Sequence, residues 1–202
     1  MKQIDKKQVE ILLKKSLNIY HYGSFVYGTF KEGISDKDYI LIVPDEYKDF
    51  DLAQFEQNNN QYSIYTKSTW QHKLDNNDVD AIETYFLQEK YKVKETELFK
   101  TNINPEKIRE NFSRVASNSF VKCKKKLTVE KDYSPRVGKK SLWHSLRIID
   151  FGTQILKTGR IYNYGSMNHL HDDIVNNQRN DWEFFKEKYQ TKYRNLIKFD
   201  YL

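Results

Sequence analysis

Two aspartates one residue apart, Asp36 and Asp38, stand directly before the apolar run Tyr39-Ile40-Leu41-Ile42-Val43, and Gly23-Ser24 precedes them by about a dozen residues in the segment GSFVYGTFKEGISDKDYILIV, residues 23–43. Side chains at i and i+2 of an extended strand point to the same face, so the two carboxylates would stand side by side. Like charges that close repel unless a cation lies between them. Hard Mg²⁺ (or Mn²⁺), with oxygen ligands and a bound triphosphate, suits such a pair. Gly23-Ser24, read as following a strand and opening a helical turn, offers amide N–H groups and a hydroxyl to a phosphate. The residue between the aspartates, Lys37, points the other way and implies an edge or partly open strand.

A second polar pattern lies in the other half of the chain. Lys140, His144 and Arg147 fall at i, i+4 and i+7 on one stripe of a helix, with Leu142, Leu146 and Ile149 on the opposite side. Such a stripe either faces a cleft or is a solvated basic face. Elsewhere the plainer readings are preferred. His169-Leu170-His171-Asp172-Asp173 is read as a solvated polar loop rather than a metal site, and Lys122–Lys126 as a wet helix end. Cys123 is read as a small buried hydrophobe. His21 and His72 have no visible partners in the sequence.

The elements that must position these residues differ between the halves. In the first, Val9, Leu12, Leu13 and Leu17 recur at helical spacing. Strands are expected over Asn18–Tyr22, Tyr39–Val43 and Gln61–Lys67, with a loop or short helix over 45–60, short helices at Trp70–Leu74 and Ile82–Leu87, and a strand near Tyr91–Lys94. In the second, Asn104-Pro105 opens a long helix with Ile108, Phe112, Val115, Ser119, Cys123 and Leu127 inward. Ser134-Pro135 to Gly138 breaks the chain. A second helix then runs to Gly159, and a third carries Trp182, Phe185, Tyr189 and Leu196. The order is α/β through residues 1–100 and helical through 101–202.

Composition narrows the function classes. Residues 1–100 carry 14 Lys, no Arg and 17 acids, and residues 101–202 carry 20 Lys+Arg and 11 acids, so the halves stand at −3 and +9. All seven arginines lie in the second half, and Arg grips phosphate bidentately. An acidic half joined to a basic half suits a metal-and-phosphate enzyme. No stretch approaches the roughly 20 apolar residues of a bilayer crossing, and the run Met1 to Lys7 lacks a signal peptide's apolar core. With a single cysteine, no internal disulfide is available. A cytoplasmic protein without membrane attachment is the expectation.

On the Gly-Ser pair, the spacer and the Asp-x-Asp leading into an apolar strand, the sequence resembles the DNA polymerase beta superfamily of nucleotidyltransferases. More specifically, it is similar to predicted minimal nucleotidyltransferase domains followed by a helical domain. Ile82-Glu83-Thr84-Tyr85-Phe86 looks like that family's Glu within an apolar helix. Lys140, His144, Arg147 and Thr158-Gly159-Arg160-Ile161 match its Lys-x-x-x-His-x-x-Arg helix and following turn. The likeness covers roughly residues 18–162. It implies an α/β (α+β) nucleotidyltransferase core with a short mixed sheet, followed by an all-helical C-terminal domain.

The resemblance also implies a Mg²⁺-dependent transfer of a nucleoside monophosphate from a nucleoside triphosphate such as ATP to a hydroxyl on a protein, an RNA end or a small molecule. Asp36 and Asp38 would hold the metal. Gly23, Ser24, Lys140, His144 and Arg147 would hold the nucleotide. The family's third carboxylate falls, on this alignment, at Gln61, which cannot accept a proton from an attacking hydroxyl. Either Glu83 or the substrate supplies that function, or the protein is a catalytically impaired nucleotide-binding or regulatory module, antitoxin-like roles included.

Overall fold

The structure, a computed structural model, describes residues 4–199. Met1, Lys2 and Gln3, which open the amino-terminal run considered above, lie outside the described residues. The chain divides into two compact units, Met1–Asn102 and Ile103–Leu202.

The first unit is mixed α/β. Helix α1 (Lys6–Lys15) starts at Asp5, whose side chain accepts from the Gln8 amide while Gln8 reaches back to the Asp5 amide, a reciprocal cap that satisfies two otherwise unpaired donors. Then come β1 (Asn18–Tyr22), the short helix α2 (Gly23–Tyr27), β2 (Lys37–Val43), a 3₁₀ segment over 45–50, β3 (Gln54–Gln57), β4 (Asn60–Thr66), α3 (Lys67–Asp75), α4 (Val79–Tyr85) and β5 (Lys92–Glu95). The five strands form one mixed sheet in the order β3-β4-β2-β1-β5. β2 runs antiparallel to β1 and parallel to β4.

Two sequence expectations change here. β2 is the central strand rather than an edge, and Lys37 is accommodated because it is the first strand residue and lies over the rings of Phe25 and Phe30, at 5.3 and 5.7 Å. Such stacking offsets part of the cost of an ammonium group on a sheet face. The stretch expected as a loop or short helix also contains a strand, β3. It folds back on β4 through Asn58 and Asn59, both left-handed (φ 52° and 61°), the backbone that two-residue hairpins require and that Asn tolerates.

Period-2 alternation gives the sheet two apolar faces. Leu41, Val43 and Ile64 lie on one, where Val43 and Ile64 pack with Leu12 of α1 and with Tyr47 and Phe50. Ile40 and Ile42 lie on the other, along with Tyr65, whose ring meets Trp70 of α3 at 5.1 Å. A strand buried on both faces reads as a continuous apolar run, as 39–43 does.

The second unit consists, over its described residues, of helices: α5 (Pro105–Thr128), α6 (Pro135–Thr158), α7 (His171–Val175) and α8 (Trp182–Ile197), with short 3₁₀ turns. Asn104 caps α5 by accepting from the amides of Glu106 and Lys107. Its buried stripe is Ile108, Phe112, Ala116, Phe120, Cys123 and Leu127. Ala116 and Phe120 stand where the sequence reading put Val115 and Ser119, which are partly buried; each set fits an arc of about 120° on a 3.6-residue helix, so the period alone does not choose between them.

Helix α6 begins at Pro135 and continues through Gly138 without a break. Gly138, Ser145 and Gly152 recur every seven residues and form the seam against α5. A Cβ at Gly138 would lie 3.2 Å from Leu127 Cγ, the Ser145 hydroxyl donates to the Ala116 carbonyl at 2.8 Å, and a Cβ at Gly152 would lie 3.3 Å from Phe112 Cβ. Small residues at that spacing let two long helices approach closely. The expected polar loop over 169–173 is also helical, with Leu170 and Ile174 turned inward.

Candidate functional site

Strand register decides which of the predicted residues meet. Asp38 pairs with Tyr22 of β1 on one side and with Gln61 of β4 on the other, and Gln61 pairs in turn with Glu56 of β3. Directly paired residues share a face, so Tyr22, Asp38, Gln61 and Glu56 make one polar row across four strands. Gly23 follows Tyr22 immediately. A Cβ on Gly23 would fall 2.1 Å from Asp38 Oδ2 and 2.9 Å from Asp38 Cγ, and its φ is +65°. Glycine suits the position twice over: its φ lies in the left-handed region, and a Cβ would force the Asp38 carboxylate to shift. Asp38, Gly23 and Ser24 therefore meet at one end of the sheet.

Asp36 is exposed and stands one residue before β2, whose pairing begins with the Lys37 amide and the Asn59 carbonyl at 3.4 Å. The strand pleat alone therefore does not fix its side. The turn before it is closed by Ser35, whose hydroxyl accepts from the Lys31 amide and whose own amide donates to the Lys31 carbonyl.

The opposite face carries an aromatic row in the next register position. Phe55, Tyr62, Tyr39 and His21 contact in sequence, with ring centroids 4.6, 4.9 and 4.7 Å apart, and Phe25 of α2 closes the row 4.4 Å from His21. These rings tie β3, β4, β2, β1 and α2 together directly behind the polar row. Burial raises the Tyr39 and Tyr62 hydroxyl pKa values, and burial first, then the nearby Lys37 charge, lowers that of His21. His21 Nδ1 is buried without a hydrogen-bond partner, which fits a ring kept neutral.

Glu83 lies inside the unit. It is 1% exposed, on α4, and accepts from the Tyr27 hydroxyl of α2 at 2.6 Å. In the second unit Lys140 is exposed, His144 partly buried and Arg147 fully buried. Arg147 Nη2 donates to His144 Nδ1 at 2.7 Å, and its guanidinium lies 4.9 Å from the Phe151 ring. Desolvation, with the Arg147 and Lys122 charges, pushes the His144 pKa down to about 3. The stripe expected on periodicity is thus split, with one cation in water and the Arg-His pair packed inward.

The plainer readings have local accounts. Cys123 is buried, with its thiol pushed up to about 12 by desolvation, and Lys125 and Lys126 both pair with Asp132. His169 donates to the Ser166 carbonyl, and the His171 ring packs edge-on to Trp143. His72 Nε2 accepts from the Asn76 side chain.

Sequence reasoning missed Glu56 and Tyr27. Glu56 could have been found from Asn58-Asn59 as a hairpin turn, with Phe55 and Gln57 alternating before it. Tyr27 sits 56 residues from Glu83, and no local signal joins them. No protein-family model matches the chain, and no curated protein matches it.

Proposed function

We propose that the first unit binds a nucleoside triphosphate with a divalent cation and transfers the nucleoside monophosphate to a hydroxyl acceptor, as a nucleotidyltransferase of the DNA polymerase beta kind. The observation that carries this reading is the seating of the Asp38 carboxylate on the Cα of Gly23, where a Cβ would displace it. A carboxylate held against a Gly-Ser pair at a sheet end is the arrangement expected where a metal and phosphates share one site.

Asp36 and Asp38 offer hard oxygen donors, which fit Mg²⁺ or Mn²⁺. These two residues would hold such a cation, with phosphate, water or main-chain oxygens completing its shell. Bound there, the cation would neutralise phosphate charge and polarise the reacting phosphorus. Asp38 contributes a carboxylate fixed by strand pairing on both sides. Ser24 contributes a hydroxyl at the start of α2, and the aromatic row behind holds the strands in register. In its own unit Lys140 is the cation of the Lys-His-Arg set that faces solvent.

A second reading is favoured by Gln61. It pairs with Asp38 in the parallel ladder, so an amide stands where a second carboxylate on that face would accept the acceptor's proton. On this reading the unit binds nucleotide and transfers it slowly or not at all. The test is incubation of the pure protein with each α-labelled nucleoside triphosphate, Mg²⁺ or Mn²⁺, and separate protein and RNA pools. Label in either pool supports the transferase. Divalent-dependent binding with label in neither supports the second reading.

A further inference from the structure

Helix α2 is five residues long, has no side-chain cap at its start and ends at the left-handed Gly28. A helix this short does not persist by itself in water, yet its first residue, Gly23, must stay within ångströms of the Asp38 carboxylate. Two side-chain contacts run from the far end of α2 and from its middle. Phe25 packs on His21 and lies near Lys37. Tyr27, one turn after Gly23 and 5% exposed, donates to Glu83 Oε2 at 2.6 Å.

The partner of Tyr27 sits on an anchored element. Helix α4 is tied to its surroundings by Asp80, which accepts from the Tyr65 hydroxyl of β4 and pairs with Lys73 of α3 at 3.0 Å, while Asp78 pairs with the same lysine at 3.1 Å. Around Glu83, residues Ala81, Ile82 and Thr84 are all buried. A buried carboxylate is costly unless hydrogen-bonded, and an O–H donated to it at this distance is of the strong, charge-assisted kind.

We infer that Tyr27 and Glu83 are a positioning pair: the buried hydrogen bond hangs the short helix α2 from the anchored helix α4 and so sets the seat of Gly23 and Ser24 against Asp38. Glu83 then acts through Tyr27 and not as a proton acceptor for a substrate. This rests on the nucleotide-site reading for its functional consequence, but the hydrogen bond's hold on α2 is measurable without any ligand.

The experiment uses the full chain with Tyr27→Phe, Glu83→Gln and Glu83→Leu, and reads amide hydrogen exchange together with the melting shift given by Mg²⁺ and ATP. Removing a hydrogen bond to a buried charge should speed exchange at residues 23–30 by roughly ten- to a hundredfold in Tyr27→Phe, with α5 and α6 unchanged. The nucleotide-induced shift should shrink in the same variant. Glu83→Gln keeps a carbonyl oxygen for Tyr27 and should keep most of both. Should Glu83→Leu fail to fold, Tyr27→Phe and Glu83→Gln still decide.

Unchanged exchange at residues 23–30 in Tyr27→Phe overturns the inference, whether or not nucleotide binds. Faster exchange with an undiminished nucleotide shift overturns it as well, since α2 would be loosened without harm to the site. If no triphosphate shifts even the unsubstituted protein, the nucleotide-site reading fails, and the exchange result still decides whether the pair holds α2.

Discussion

Asp38 and Arg147 were both placed by periodicity, one on a strand and one on a helix, and the two regions answered differently. On β2 the two-residue alternation fixes the face, and the ladders then fix the neighbours, Tyr22 and Gln61. On α6 the seven-residue span from Lys140 to Arg147 covers about 10 Å of helix axis. Along that length the surroundings change from solvent to core. A strand face is one environment over a few residues, while a helix stripe crosses several. Shared periodicity therefore carried more functional information in the first unit than in the second.

The sharpest way to break this contrast is to truncate Arg147. It is 0% exposed, packed by Phe151 and bonded to His144, so Arg147→Ala should cost about 3–5 kcal/mol through the cavity and the lost buried contacts. A loss of less than about 1 kcal/mol in urea unfolding would mean the side chain lies outside the core.

The same burial makes a pH prediction. His144 has a pKa near 3 in the folded chain against about 6.5 when unfolded. The unfolded chain takes up a proton as pH falls below 6.5 and the folded one does not, so stability should decline from pH 6.5 to about 3, by up to a few kcal/mol. Denaturant melts across that window should show a shallower slope in His144→Asn. An equal slope would place the titration elsewhere.

In the first unit, Gly23→Ala puts a methyl on the Asp38 carboxylate and an L side chain at φ +65°. It should destabilise the protein by about 1–3 kcal/mol and remove any nucleotide-dependent melting shift. Retention of that shift would show that Asp38 and Gly23 are not one site. The smallest effect belongs to Lys140→Ala, which should change stability by no more than about 0.5 kcal/mol. A large loss of stability would place Lys140 inside, with Arg147.

What was legible in the sequence follows the range of the interactions. The apolar run 39–43, the Asn104-Pro105 helix start and the Asp-x-Asp before a strand are local patterns, and the structure has the matching strand, cap and Asp38 face. Strand β3 was hidden because Asn58-Asn59 reads as polar low complexity unless both residues are taken as left-handed. The burial of Arg147 and the Tyr27–Glu83 hydrogen bond depend on contacts between distant segments. Hydropathy assigns a charged or hydroxyl side chain to the surface, and only its partners say otherwise. Gln61 was legible as a residue without a proton-accepting group, but its place beside Asp38 needed the register.

The central claim is that Asp38, seated on Gly23, forms part of a divalent-cation and nucleotide site, and thermal unfolding tests it most directly. With Mg²⁺ and each common nucleoside triphosphate at about a hundred times the dissociation constant, a ligand specific for the folded chain adds about 2.7 kcal/mol. The account predicts a clear rise in melting temperature for at least one triphosphate, dependent on the cation and abolished in Asp38→Asn. No rise with any triphosphate, or a rise that survives Asp38→Asn unchanged, would contradict it.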